Sequence, residues 1–373
     1  MTATAWNDDQ RGAALIASLP GMRWEQLEAL ARLGQLGEVC QRLAAGEVAP
    51  LATERPRGVI GPGLLARWRG DLARLDPARL EERYRRAEVN VVVASMPAFP
   101  RLLAVDGDPP SVLFMKGSAF PADTPAVGIV GTRSATAAGL ETARWLGREL
   151  GARRVPVVSG LALGIDGAAH DGVLRASGFP VGVVASGLDV PYPRRHERLW
   201  DSVGGQGLLL SEAPLGGQPA AELFPRRNRL IAALSRVVIV VESHTTGGSL
   251  ITAVEAANRG RTVLAVPGPI RSPASAGSNR LLDVALPCRD LDDVLVALEW
   301  LDVEPIVVDR RIEPGDREAM VLAALGWEDA SIDVVMTRTG LTLGAVTGCL
   351  HRLEHDGWVG RVGGRWQRLA SAP

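Results

Sequence analysis

From about residue 89 the chain alternates short runs rich in Val, Ile and Leu with longer stretches of helical periodicity, and this alternation is its tightest constraint on fold. The runs cover residues 89–94, 112–115, 127–130, 155–158, 181–185, 207–210, 237–241 and 263–266. A strand that reads as an unbroken apolar run is buried on both faces, and helices between successive strands supply that cover. An α/β domain built on a parallel sheet is therefore predicted over residues 87–300.

The flanks have a different texture. Apolar residues recur at spacings of three and four in 13–19, 24–33 and 36–45, which predicts a helical N-terminal domain over residues 1–86. Between its first two helices lies Leu19-Pro20-Gly21-Met22. A turn of this form occurs in helix-hairpin-helix modules, where its amides face a DNA phosphate, and also at ordinary corners between helices. The turn residues leave both readings open. Residues 301–314, rich in Pro and Asp, read as a linker. Beyond them, residues 315–373 are predicted as helices at 317–325, 331–339 and 342–356, then a hairpin across Gly363-Gly364. Three helices and a hairpin make a winged helix, with Thr342 placed to cap the third helix. Arg338, Arg352, Arg361, Arg365 and Arg368 favour nucleic acid there, while many such modules contact protein.

Charge narrows the partners. Lys and Arg total 41 against 42 Asp and Glu, a net charge of −1, so a globally basic nucleic-acid coat is excluded and a local patch is not. Lys116 is the only lysine. With arginine used almost throughout, a single Arg says little about phosphate, and only clusters count. Apolar runs break well short of the roughly 20 residues of a membrane span. Residues 1–10 carry no secretory signal pattern, and Cys40, Cys288 and Cys349 form neither a disulfide framework nor a metal knuckle. A cytoplasmic protein without metal is expected.

The chemistry gathers directly behind the strands. Gly131-Thr132-Arg133 follows one, Ser159-Gly160-Leu161-Ala162-Leu163-Gly164 another, and Thr245-Thr246-Gly247-Gly248-Ser249 a third. In an open parallel sheet these loops converge on the carboxyl edge, where Gly admits a ligand close to the backbone and helix N-termini favour an anion. A phosphate-bearing ligand is expected. No Gly-x-x-x-x-Gly-Lys-Ser/Thr and no Gly-x-Gly-x-x-Gly occurs in the required place, so ATP and dinucleotides are disfavoured and no cofactor is expected. Asp166 and His170, four apart on one helix face, read as an acid-base or metal pair, or as a capping Asp and a packing His.

The most specific local segment is Phe224-Pro225-Arg226-Arg227-Asn228-Arg229-Leu230-Ile231. Residues 216–236 hold four Arg against one Glu. Cations and an amide can track phosphates while a ring stacks an unpaired base. Equally, the ring can be core and the arginines a solvated face. With a helix starting near Arg226, positions 226, 229 and 230 share one face, so Arg226 and Arg229 are expected at the border of the ligand edge and Arg227 in solvent.

Taken in order, Gly128 to Arg133, Ser159 to Asp166, Ala169-His170, Gly187-Leu188-Asp189 with Tyr192-Pro193, Ser211-Glu212, Phe224 to Ile231, Gly248 to Ala253 and Ala265 to Gly268 resemble the signatures of the DNA-processing protein A family, DprA or Smf. Asp108-Pro109-Pro110 and Lys116-Gly117 extend the likeness upstream, and it spans about residues 97–285. The resemblance implies an extended Rossmann-like sheet between an N-terminal helical domain, SAM-like or helix-hairpin-helix, and a C-terminal winged helix. It also implies a homodimer that binds single-stranded DNA and loads RecA onto it in transformation or recombination. The matching positions name Arg133, Phe224, Arg226, Asn228 and Arg229 as prime DNA contacts, with Gly131, Ser159, Gly160, Arg227, Gly247, Gly248, Ser249 and Asn279 beside them. Asp283-Val284-Ala285 departs from the Gly-Ala usual in the family. No catalytic residue is expected. A rival reading is a nucleotide phosphoribohydrolase of the cytokinin-activating type, which Gly247-Gly248-Ser249 with Glu255 resembles.

Overall fold

The structure is a computed structural model, and it describes residues 6–52, 58–121, 124–299, 313–327, 329–362 and 364–369. The chain divides into two compact units, residues 1–304 and 305–373. The linker expected at residues 301–314 lies outside the described residues except for its last two.

The larger unit begins with helices α1 (Asp8–Ala17), α2 (Trp24–Ala31), α3 (Leu36–Ala45), α4 (Pro62–Leu72) and α5 (Pro77–Arg86). Local chemistry sets several starts. The Asn7 side chain accepts the Gln10 amide at 2.8 Å while the Gln10 side chain accepts the Asn7 amide at 3.1 Å, a reciprocal cap on α1. Asp76 caps α5, and Pro77 fills its first position, where no amide is needed.

The sheet follows: β1 (Asn90–Val93), α6 (Arg101–Ala104), β2 (Val112–Gly117), β3 (Val127–Val130), α7 (Ala137–Ala152), β4 (Val157–Ser159), α8 (Ile165–Arg175), β5 (Pro180–Val184), α9 (Glu197–Gln206), β6 (Leu208–Ser211), α10 (Leu223–Leu234), β7 (Val237–Val240), α11 (Gly248–Asn258), β8 (Thr262–Ala265), α12 (Ala276–Leu281), β9 (Leu286–Pro287) and α13 (Leu291–Leu298). The nine strands lie in the order β1-β2-β6-β5-β4-β3-β7-β8-β9. Neighbours from β6 to β9 are parallel, and β3 pairs with β7 from Val127 opposite Val237 to Val130 opposite Val240. β2 runs antiparallel to β6 and β1 antiparallel to β2, so the sheet is not parallel throughout. Direction left no trace in the residues, because β2 is as uniformly buried along Val112 to Met115 as any parallel strand.

Each sheet face has its own core. Leu146, Leu150, Val173 and Val294 bring α7, α8 and α13 onto one face, beneath Ile129 and Ile239. Leu103, Leu230, Leu234 and Ala253 bring α6, α10 and α11 onto the other, beneath Val130 and Val238. Each fully buried Val or Leu contributes about 1.5–3 kcal/mol. The N-terminal helices close over β1, β2, β5 and β6 in a third cluster. There Tyr84 stacks on Phe114 at 5.6 Å, and its hydroxyl accepts the Leu215 amide at 3.2 Å.

This order creates one special place. β3 and β7 are neighbours, yet β3 leads into α7 on one face and β7 into α11 on the other. Their carboxyl ends therefore part around a crevice, the point in such sheets where ligands bind.

The smaller unit holds α14 (Asp316–Leu325), α15 (Ile332–Thr339), α16 (Leu343–His355) and the antiparallel pair β10 (Val359–Val362) and β11 (Arg365–Arg368). Val321, Leu325, Val346, Leu350 and Trp366 form its core. Trp366 also pairs through its backbone with Ala330, at 2.8 and 2.9 Å, which completes a winged helix.

Candidate nucleic-acid interface

Loops behind β3, β4 and β7 do meet at the carboxyl edge, but two of the three are already occupied by the protein's own acids. Glu242, buried just past β7, accepts the Thr136 amide at 2.9 Å and the Thr136 hydroxyl at 2.6 Å, so its carboxylate sits on the N-terminus of α7. Asp166 accepts the Gly160 amide at 3.1 Å and so occupies the β4 loop, while the start of α8, without a side-chain cap, is closed by Gly164 lying against the Thr132 and Arg133 backbone. Helix starts stabilise negative charge whatever its source. The start of α11 is different. Gly247 offers no side-chain cap, Gly248 is exposed with open space around its α-carbon, and Thr245 and Thr246 are exposed beside it.

Several of the residues singled out from sequence prove to be internal supports. Ser159 is fully buried and donates to the Ile129 carbonyl at 2.6 Å. Gly131 is pressed between Ile165 and the Glu242 backbone, and Gly160 lies against the Arg227 guanidinium, so neither glycine is there to admit a ligand. Gly247 faces the Ser243 hydroxyl, to which buried Ser249 donates at 2.8 Å. Asn279 clamps the Gly268 backbone, accepting its amide at 2.9 Å and donating to its carbonyl at 3.0 Å.

The arginines of α10 correct the expectation drawn from helix phase. The helix starts at Leu223, with Pro225 in its first turn, where the missing amide costs nothing. Arg227 then lies three and four residues before Leu230 and Ile231, on the core stripe, and not in solvent. It is 6% exposed and donates to the Val183 carbonyl at 2.6 Å. Burial lowers its guanidinium to about 10, against the support of the Asp166 charge. Burial in turn raises Asp166, which the Arg227 charge opposes. Arg229 is also buried, paired with Glu212 at 2.6 Å and hydrogen-bonded to the Asp108 carbonyl. Arg226 bridges Glu212 at 2.7 Å and Glu28 of α2 at 3.0 Å, its guanidinium 3.7 Å above the Trp24 ring.

What remains at the surface is compact. Arg133 is exposed and lays its guanidinium 4.9 Å above the Phe224 ring centroid. Phe224 also meets Tyr192, centroid to centroid at 5.7 Å. Asn228, one turn beyond Phe224 on the same helix face, donates to the Gly248 carbonyl at 3.2 Å and ties this aromatic step to the open start of α11. The arrangement offers a cation, two ring faces and uncapped amides in a row. Tyr192, 41% exposed, was absent from the residues expected to contact DNA. Its signal was the Tyr192-Pro193 signature, but nothing in sequence placed it against Phe224.

Asp166 and His170 do not form a pair. His170 is fully buried, its Nε2 lies 3.2 Å from the Val181 carbonyl, and burial lowers it to about 4. Among the described residues no cluster of His, Cys, Asp and Glu could hold a metal. Glu255 lies two turns into α11, paired with Arg259, and brings no carboxylate to the Gly-Gly-Ser loop. No helix of the described residues is long and apolar enough to cross a membrane.

Comparison with known proteins places these features in a group. The family model for DNA recombination-mediator protein A matches residues 90–299, and that for the DprA winged helix domain matches residues 310–365. Protein Smf of Escherichia coli is 36% identical over 294 residues, which cover 76% of this chain and 78% of that protein. The X-ray structure of DNA processing protein A from Streptococcus pneumoniae superposes with a TM-score of 0.63 at 30% identity, covering 79% of this chain and 98% of that one. A Helicobacter pylori DNA processing protein A structure, described for its single-stranded DNA binding mode, gives a TM-score of 0.52 at 28% identity, over 57% of this chain and 96% of that one.

Proposed function

The chain belongs to the DNA recombination-mediator protein A family, and from that membership we propose that it binds single-stranded DNA along the carboxyl edge of its sheet and passes the strand to RecA without breaking a bond. The observation that carries this reading is the Arg133, Phe224 and Tyr192 step beside the open start of α11. Rings stack unpaired bases of any sequence, while the guanidinium and amides take phosphates. Bases held on one side only stay accessible to a recombinase. The Helicobacter pylori relative supports the choice of a single strand.

Hydrolysis of a nucleotide is disfavoured here, because Glu255 is committed to Arg259 and no carboxylate from it reaches the Gly-Gly-Ser loop. Free adenine released from AMP by the purified protein would reverse that. A homodimer belongs to the same reading: β9 is an edge strand, and Ile270, Val284 and Leu286 near it are 95%, 88% and 57% exposed, an apolar edge that a second copy would cover.

Fluorescence anisotropy with one oligonucleotide, single-stranded and duplex, at two salt concentrations tests the central claim. The single strand binds more tightly, and log affinity falls with log salt by roughly 0.7 for each phosphate held. Equal or tighter duplex binding by residues 1–304 would overturn it. RecA filament formation on the same strand, faster with the protein than without, tests the hand-over.

A further inference from the structure

A cavity of about 440 Å³ lies between the α1–α2 turn and the sheet edge at β2, β5 and β6, with neither Arg133 nor Phe224 in its lining. Its size falls in the roughly 300–1,000 Å³ range of small-molecule sites. Four arginines line it, Arg23, Arg83, Arg226 and Arg227, against Glu28 and Glu212. Some of that charge is spent. Arg83 meets Asp189 at 3.1 Å, and Arg226 is held by Glu212 and Glu28.

Arg227 is the exception. It is a buried cation whose hydrogen bond goes to a neutral carbonyl and whose Nε lacks a partner; the buried Asp166 supports its charge without salt-bridge contact. A buried charge is costly unless something opposite meets it. Beside it the Trp24 indole and the Arg226 guanidinium stack into a flat wall, and Leu19 and Met22 of the Leu19-Pro20-Gly21-Met22 turn complete an apolar side. A planar ring can lie along such a wall and an anionic group can reach Arg227. The turn therefore faces this cavity, and that gives it a use that an ordinary corner between helices would not have.

We infer that this cavity binds one nucleoside monophosphate unit, its phosphate toward Arg227 and its base along the Trp24 and Arg226 wall. The unit could arrive as a free nucleotide or as the 5′-phosphorylated end of a strand; the chemistry recognised is the same. The inference goes beyond the strand reading, since the free nucleotide does not require the Phe224 step.

Calorimetric titration of the full chain with deoxythymidine monophosphate and with thymidine reads the first source. Affinity for a 5′-phosphorylated against a 5′-hydroxyl oligonucleotide reads the second. The phosphate is expected to strengthen binding about tenfold or more in at least one of the two comparisons, as a charge-assisted contact would. Arg227→Gln should remove the gain. Because that change strikes a buried charge, Met22→Trp, which crowds the apolar side of the cavity where the base would lie and leaves every arginine in place, is the second variant: it should abolish the phosphate gain while affinity for the 5′-hydroxyl oligonucleotide stays within twofold. A gain in the first comparison alone assigns a free nucleotide, and in the second alone a strand end. No gain in either, or a gain that survives Met22→Trp, overturns the proposal. Loss of all oligonucleotide binding with nucleotide binding retained would instead count against the strand reading and leave the cavity standing.

Discussion

Four arginines stand near one sheet edge, one on the loop behind β3 and three on α10, and they do opposite things. Arg133 is exposed over a ring and holds its charge ready. Arg226, Arg227 and Arg229 are buried or nearly so, and carboxylates and carbonyls of the same unit already hold them. The richest cluster of cations in the middle of the sequence is thus chiefly a frame. It fixes α10 to the sheet, to Asp108 and to α2, and thereby fixes where Phe224 and Asn228 stand.

The largest effect should come from breaking the frame. Arg227→Ala would leave the Val183 carbonyl without this donor, Asp166 without its main supporting positive charge and a hole beside Gly160. Removing one member of a buried charged set costs about 3–5 kcal/mol. Chemical denaturation should show that loss for Arg227→Ala, while Arg133→Ala stays within about 0.5 kcal/mol of the parent. A stable Arg227→Ala protein would mean that the two regions differ less than their burial implies.

The frame should also respond to acid. His170 packs beneath it as a neutral ring, lowered to about 4 from an ordinary 6.5. Between those values the folded chain binds fewer protons here than the unfolded chain, so stability from this group is present above about pH 6.5 and is lost as pH falls toward 4. The full loss is about 3 kcal/mol. Asp166 acts in the other direction, because burial raises it and its contribution falls as pH rises. Unfolding free energies across this window should therefore flatten in His170→Gln relative to the parent. An unchanged profile would show that His170 does not stay neutral in the fold.

The buried His170 and the amide-binding Asp166 match the packing and capping reading left open in the sequence, whereas the partners that build the frame could not be read there, and the reason is distance along the chain. Strand positions were legible because burial on both faces leaves a local mark, an unbroken run without a polar side chain at 127–130 or 237–240. Caps such as Thr342, which accepts the Ala345 amide, are local too. By contrast Glu242 caps a helix 106 residues earlier, and Glu28 reaches Arg226 across 198 residues. Nothing near either glutamate announces its partner. The Arg227 error had a local cause: at about 100° per residue Arg227 falls between Leu230 and Ile231, so it shares their buried face wherever the helix begins, and only Leu230 had been used to set the face. β9, two residues long, has too short a pattern to be seen.

Smaller effects belong to the exposed step. Phe224→Ala should weaken single-strand binding by about 1–3 kcal/mol, the usual worth of a stacked base. Arg133→Ala should cost about 1.5 kcal/mol and lower the salt slope by roughly 0.7. Since the guanidinium rests on the ring, the double variant should lose less than the two single losses added. Anisotropy titrations of the three proteins measure this, and strict additivity would mean that ring and cation act on separate parts of the strand.

The smallest effect is expected from removing residues 313–373. Five arginines favoured nucleic acid at the winged helix, but each has a partner inside its own unit. Arg352 meets Glu318 at 2.6 Å, Arg365 meets Asp329 at 2.6 Å and Arg361 approaches Glu354 at 3.9 Å. Arg368 lies over the Trp327 ring at 4.6 Å, and Arg338 donates to the Ala324 carbonyl at 2.8 Å. These pairs are more exposed than those of α10, so each is worth little to stability and gives way more easily to a phosphate. Two of the three helix starts in this unit are also closed, α15 by Ser331 and α16 by Thr342. All the residues of the step lie in the larger unit, and each unit has its own core. Single-strand affinity of the truncated protein should therefore stay within about twofold of the full chain, which is under about 0.5 kcal/mol. Competition between the two proteins for one labelled oligonucleotide decides it, and a tenfold loss would move part of the strand site onto the winged helix.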